Sequence, residues 1–197
     1  MHPLVEKVKE AGVVGAGGAG FPAYYKFNAK VEIMIANGAE CEPLLCKDKE
    51  LMQLFPGEIK KGMELVADAI GASRIILGIK AKNSDIIGQF KSLFGGTNIE
   101  IFEMGDYYPA GDEYLLVYEA TGRLIPYDGY PVDIGCVVSN VETLLNVALA
   151  SAGVPVTETF VTITGKVRNP MTVKVPIGTS IQELLELSGG ASTLKEL

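Results

Sequence analysis

Tryptophan is missing from this 197-residue sequence, histidine occurs once and cysteine three times. Each scarcity excludes something. His2 is the single imidazole, at the chain terminus, and Cys41 and Cys46 have C-x-x-x-x-C spacing without a second pair to close four ligands, so a zinc site is unpromising. Three thiols also fall short of the four that a ferredoxin-type cubane takes. Their odd number suits reduced thiols better than a disulfide framework. Apolar stretches such as 31–36 and 73–79 have the length of strands, far below the roughly 18 residues of a membrane span. Positive charge is in deficit, with 17 Lys and Arg against 24 Asp and Glu, a net charge of −7 and a pI near 4.8. The basic residues are scattered rather than striped, which argues against a nucleic-acid partner. No basic segment followed by an apolar one opens the chain, so the expected compartment is the cytoplasm.

What is present is ordinary for a globular chain: 48% apolar and 21% charged residues, in a length that can bury a full core plus a small second unit. Apolar periodicity predicts a short helix over 4–11, a buried strand over 31–36 and helical segments over 51–70, interrupted at Pro56-Gly57 and closed by Gly71. A strand over 74–79, a helix over 85–94 and a strand over 99–103 follow. Then come a helix over 113–120 ended at Gly122, a strand over 135–139 and a helix over 141–152. This alternation predicts an α/β fold, a mostly parallel sheet with flanking helices. Composition shifts at Pro155. Alternation over 159–164, a turn over 166–170, a returning strand over 172–175 and a helix over 181–187 read as the opening half of a β-grasp, ubiquitin-like unit. The expected division is 1–154 and 155–197. A complete grasp needs further strands after its helix, and seven residues follow Gly190, so the sequence reads as part of a longer chain.

Gly15, Gly17 and Gly20 satisfy G-x-G-x-x-G, with Gly18 and Ala19 extending a run almost free of side chains. Bare backbone N–H groups in such a run suit a phosphate or the polar edge of a planar ring. A structural turn is the competing reading of so short a motif. A Rossmann reading is handicapped, because only Val13-Val14 precede the loop where a full strand belongs and Phe21-Pro22 follow it where a helix should begin. Glu40 does lie about twenty residues on, where a ribose-binding acid would stand.

The run Gly15-Ala16-Gly17-Gly18-Ala19-Gly20-Phe21-Pro22 resembles the signature of the NADH-binding flavoprotein subunit of respiratory complex I and its relatives. Three further segments agree in order. Asn37-Gly38-Ala39-Glu40-Cys41-Glu42-Pro43 is similar to the form found in two branches, the cobalamin reductases and the C subunits of the Rnf electron-transport complex. Tyr108-Pro109-Ala110-Gly111-Asp112-Glu113 is similar to their Y-P-x-G-x-E turn, and Val138-Ser139-Asn140-Val141-Glu142-Thr143 to their V-x-N-V-x-T segment. The tail, from Val161 through Val175-Pro176-Ile177-Gly178-Thr179 to Gly189-Gly190, resembles the soluble-ligand-binding β-grasp (SLBB) domain. The glycine loop falls within the first twenty residues, which leans toward the cobalamin-reductase branch. Ala16 stands where the complex I proteins have Arg, Ala39 where they have Asp, and Ala23 where Thr is usual after Phe-Pro.

The resemblance implies an electron-transfer flavoprotein that binds FMN, oxidises NADH and passes electrons to an iron-sulfur domain or partner. Clusters would lie only in a C-terminal segment outside this sequence, and the partner would belong to a membrane complex or a corrinoid system, peripheral to a membrane or in a bacterial microcompartment. It assigns FMN contacts to Gly15, Gly17, Gly18, Ala19, Gly20, Lys26, Asn37, Gly111, Asp112, Ser139, Asn140 and Thr143, and NADH contacts to Phe21, Glu40, Glu42 and Glu113. No side chain need act as acid or nucleophile, since hydride transfer requires only that two rings be held face to face and dry. Asn37 and Asn140 sit at predicted strand ends, where ligands of parallel sheets collect, although an Asx turn would use the same residues. Two other readings stand beside this one. The first is a docking or ligand-binding module without flavin, and the second is an NAD-only Rossmann protein.

Overall fold

The sheet is built from four short apolar runs: β1 (Ile33–Asn37), β2 (Arg74–Lys80), β3 (Ile99–Met104) and β4 (Cys136–Asn140). The structure is a computed structural model and describes residues 2–192. All four strands are parallel, in the order β3-β2-β1-β4. Their side chains alternate between two cores, as a period of two demands. Met34, Ala36, Leu77 and Val137 face one cluster, while Ile33, Ile35, Ile76, Cys136 and Val138 face the other. Both faces are therefore covered, which explains why the strands read as continuous apolar runs.

The first face is covered by α1 (Pro3–Glu10), α3 (Lys47–Leu54), α4 (Pro56–Ile70), α5 (Ser84–Leu93) and α7 (Val141–Ser151), with the single-turn α2 (Ala23–Lys26) at its margin. The second face is covered mainly by α6 (Glu113–Thr121), through Leu116 and Val117. Handedness requires this division. The chain steps outward from β1 to β2 to β3 with its helices on one side, then returns past β1 to β4, and a right-handed return must carry α6 across the opposite face. The strand order reverses between β1 and β4, and in open parallel sheets the ligand crevice lies at that reversal.

Helix ends follow local chemistry. Gly71 and Gly122 close α4 and α6 at φ 74°, the left-handed region that glycine enters without a Cβ penalty. Asn140 caps α7 and Asp112 caps α6. A separate antiparallel pair, β5 (Glu158–Ile163) with β6 (Met171–Pro176), is followed by α8 (Ile181–Leu187), whose Ser180 and Glu183 form a capping box. Phe160 of β5 packs on the main core and meets Phe55 at a ring distance of 6.0 Å. The sequence pattern anticipates each strand to within about two residues. It does not anticipate α2 or the 3-10 turn Pro131–Ile134, which are too short to carry a period. Among the described residues no helix is long and apolar enough to cross a membrane.

Candidate functional site

The glycine loop is closed at its base like a small hairpin. Val14 and Pro22 form an isolated antiparallel bridge, Gly15 N–H donates to Phe21 O at 2.8 Å, and Ala23 N–H donates to Val13 O at 3.2 Å. Among the described residues a helix, Pro3–Glu10, and no strand precedes it, which counts against the Rossmann reading. The loop is fastened to α7 by Ala16 N–H, which donates to Thr143 Oγ1 at 2.9 Å. Gly18 and Gly20 hold φ of 116° and 64°, and a Cβ at either would meet nothing within 4 Å. Glycine is thus needed there for conformation rather than for space. The N–H groups of Gly17, Gly18, Ala19 and Gly20 find no acceptor among the described residues.

The loop borders a cavity of about 1230 Å³ that runs from the carboxyl ends of β1 and β4 along the free edge of β4. This is the reversal point of the sheet. Asn37 and Asn140, the last residues of the two strands, are direct partners in the pairing register and both line the cavity. Each amide is already engaged on one side. Asn37 donates to Gly111 O at 2.8 Å and accepts from Ala39 N–H at 3.1 Å, while Asn140 accepts from Glu142 N–H at 2.9 Å and donates to Asp48 Oδ2 at 2.6 Å. The Asx-turn reading is therefore realised at both, and one N–H and one lone pair remain on each for a ligand.

Lys26 reaches the cavity from α2. Its Nζ donates to Val138 O at 2.8 Å, stands 3.9 Å from Glu113 Oε2 and 5.9 Å from the centre of the Phe21 ring. Ile33 N–H donates to Gly135 O, so alternate residues of β4 face β1 and the Val138 carbonyl points to the open edge, where the ammonium caps it. Burial lowers the Lys26 pKa from its ordinary value, and the Glu113 carboxylate opposes that shift. An anion brought beside Nζ would relieve the same strain.

Most of the residues expected from the sequence come together here. Gly15, Gly17, Ala19, Phe21, Lys26, Asn37, Gly111, Asp112, Glu113, Ser139, Asn140 and Thr143 all line the cavity. Gly18, Gly20, Glu40 and Glu42 do not. Glu40 is turned away to the start of α3, where its carboxylate accepts from Asp48 N–H at 3.0 Å and Lys49 N–H at 3.4 Å. Burial raises its pKa, with those two N–H groups pulling the other way. Of the three acids expected at a ribose, only Glu113 is present. The structure adds walls that no motif announced: Tyr24 and Tyr25 of α2, the 3-10 turn with Tyr130, and Cys136 and Val137 of β4. Tyr25 and Phe21 meet edge to face at 5.9 Å and 76°.

Residues 8–149 match the Nuo51 FMN-binding domain, and residues 160–196 match the SLBB domain. The chain belongs to the Nuo51 FMN-binding family. Its relatives include cobalamin reductase PduS of Salmonella typhimurium, 44% identical over 95% of this chain, and its counterpart in Citrobacter freundii, 43% identical. The C subunit of the proton-translocating ferredoxin:NAD(+) oxidoreductase complex of Clostridium ljungdahlii is 33% identical over 93% of the chain. The chain spans 42% of the length of the two cobalamin reductases and 41% of the clostridial protein. A crystal structure of an NAD+-reducing [NiFe]-hydrogenase in its H2-reduced state superimposes with a TM-score of 0.81 at 26% identity, covering 95% of this chain and 39% of that one. The resemblance read from the four motifs is thus borne out, and so is the α/β class with its parallel sheet.

Proposed function

We infer that this Nuo51-family chain holds FMN at the β1–β4 reversal and oxidises NADH there, passing electrons to an iron-sulfur domain or partner. The observation that carries the reading is the loop almost free of side chains at a cavity that also holds a desolvated lysine, where the N–H groups of Gly17 and Ala19, which line the cavity, are unpaired among the described residues. The volume exceeds the roughly 300–1,000 Å³ of common ligand pockets, which leaves room for a flavin and a second planar ring.

FMN, when bound, supplies an acceptor for hydride and a donor of single electrons. The chain's own residues do the holding. Loop N–H groups donate to phosphate or ring oxygens. Lys26 supplies the positive charge, and the free amide N–H groups of Asn37 and Asn140 donate to the ligand's polar edge. Phe21, exposed at the rim, offers a face for the nicotinamide dinucleotide. Glu113 accepts from ribose hydroxyls and disfavours a 2′-phosphate there. The names of the relatives support this reading, since two of them include NAD reduction or ferredoxin:NAD chemistry.

The direct test is anaerobic incubation with FMN, gel filtration and titration with NADH at the flavin band. About one FMN per chain that bleaches with NADH is the expected result, and a chain that emerges colourless would instead favour a docking module. Half-saturation at lower NADPH than NADH would refute the part given to Glu113.

Substituting Lys26 by methionine keeps the packing of the stem and removes the charge. FMN affinity is expected to fall about tenfold, the size of one charge-assisted hydrogen bond at a partly buried site. In the unsubstituted chain, affinity should be full at neutral pH and decline as pH rises through the lowered Lys26 pKa, because only the protonated amine attracts the phosphate. Fluorescence titration of FMN at several pH values reads both effects; a methionine variant with unchanged affinity would remove Lys26 from the site.

A further inference from the structure

Behind the cavity wall lies a buried charge cluster that the ligand contacts do not use. Asp48 and Glu142 are 6% and 2% exposed. Lys47 Nζ lies 2.5 Å from Asp48 Oδ1 and 2.7 Å from Glu142 Oε2. Burying two carboxylates with one ammonium is unfavourable unless every oxygen is satisfied. Here each one is. Asp48 Oδ2 accepts from Asn140 Nδ2, and Glu142 Oε1 accepts from Thr159 Oγ1 at 3.0 Å and Phe160 N–H at 3.2 Å. Both acids also occupy the first turn of a helix, α3 or α7, where the macrodipole favours negative charge. Burial would lower the pKa of Lys47, but the two carboxylates outweigh it and hold the amine above its ordinary value.

The consequence falls on Asn140. Its Oδ1 accepts from a backbone N–H and its Nδ2 donates to a carboxylate, so a flipped amide would set donor against donor and oxygen against oxygen. Asp48 does not line the cavity, whereas Asn140 does. We propose that Asp48 is a positioning residue: through Oδ2 it holds the Asn140 amide in one orientation at the cavity wall and so sets which group of that amide meets the flavin. The functional consequence rests on the FMN reading of the cavity; the locked amide does not.

The test is Asp48→Asn. Lys47 Nζ and Asn140 Nδ2 approach different oxygens of Asp48, and an asparagine would have to turn its NH2 group, a donor, toward one of the two. In the full chain the FMN Kd is expected to rise about tenfold, with a changed flavin absorption band. In an Asn140→Ala background the same substitution should change Kd by less than about twofold, because the residue it acts through is gone. Thr159→Val, which removes one donor to Glu142 and touches neither Asp48 nor Asn140, should lower Tm while leaving Kd and band unchanged. A readout without flavin completes the set. The Asn140 side-chain amide NMR signals, assigned by their loss in Asn140→Ala, should shift in D48N while the backbone spectrum stays native. If the unsubstituted chain takes up no FMN, the function reading falls and these signals alone decide the positioning role. Should D48N fail to fold, Asp48→Glu, which keeps the charge but moves it by one methylene, is read in the same way. Unchanged Kd, band and amide signals, or effects that add fully in the double variant, overturn the proposal.

Discussion

Alanine at Gly62 is expected to lower stability by about 3 kcal/mol, the upper part of the usual range for overpacking, and Tm by about 10 °C in a chain of this size. Gly62 lies in α4 where that helix crosses α7, and an added Cβ would stand 2.0 Å from the Leu144 carbonyl oxygen and 2.7 Å from its carbon. Both are backbone atoms, so no side chain can swing aside and the helices must separate. Helix propensity pulls the other way, since alanine is favoured over glycine by about 1 kcal/mol. The steric term wins because α7 is pinned at its start by Asn140 and Glu142. Gly88 in α5 is the control. It is exposed and a Cβ there meets nothing within 4 Å, so Gly88→Ala should raise stability by up to about 1 kcal/mol. Thermal melts of the two variants decide the matter, and a Gly62 variant that melts with the unsubstituted chain would mean that α4 and α7 are not in contact as described.

Gly111→Ala should all but abolish flavin retention, with FMN affinity reduced about a hundredfold. Its added Cβ would stand 1.8 Å from the Ala39 carbonyl oxygen and 3.0 Å from Cys41 Sγ. The turn before α6 would have to move away from the loop that leaves β1. That movement breaks the Asn37–Gly111 hydrogen bond and shifts Asp112 and Glu113, which cap and open α6 at the cavity. Two walls of the site separate while the distant α4–α7 contact stays intact. Flavin fluorescence together with Tm separates the effects, the expected pattern being a large loss of binding with a smaller loss of stability. A Gly111 variant that binds FMN normally would show that the turn lies outside the ligand's reach.

The two glycines differ in how far the sequence alone explains them. Gly111 belongs to a motif, Y-P-x-G-x-E, whose resemblance places it near the ligand, although why glycine is required appears only when Ala39 is seen against it. Gly62 carries no signal at all. In a helical pattern it looks like a mild defect, and its reason is an oxygen on a helix that starts 79 residues later, at Val141. Glu40 shows the opposite failure. Its spacing from the glycine loop suggests a ribose contact, but spacing along the chain does not determine direction in space, and its carboxylate turns to the unpaired N–H groups opening α3. Asn37 and Asn140 fall between these cases. Their place at the strand ends is legible, whereas their pairing with one another is not.

Local chemistry in the chain determined the elements: alternation and length made the strands, glycine and asparagine ended or opened the helices, and the loop over 15–20 was bare by composition alone. Strand order was decided only in three dimensions, because nothing in β4 itself says that it will lie beside β1 rather than beside β3. That choice creates the cavity, sets Lys26 against the edge carbonyl of Val138, and brings Asp48 under Asn140 across 92 residues of chain. Periodicity is a property of neighbours in sequence, while a site is a property of neighbours in space. Only the packing of both sheet faces converts one into the other.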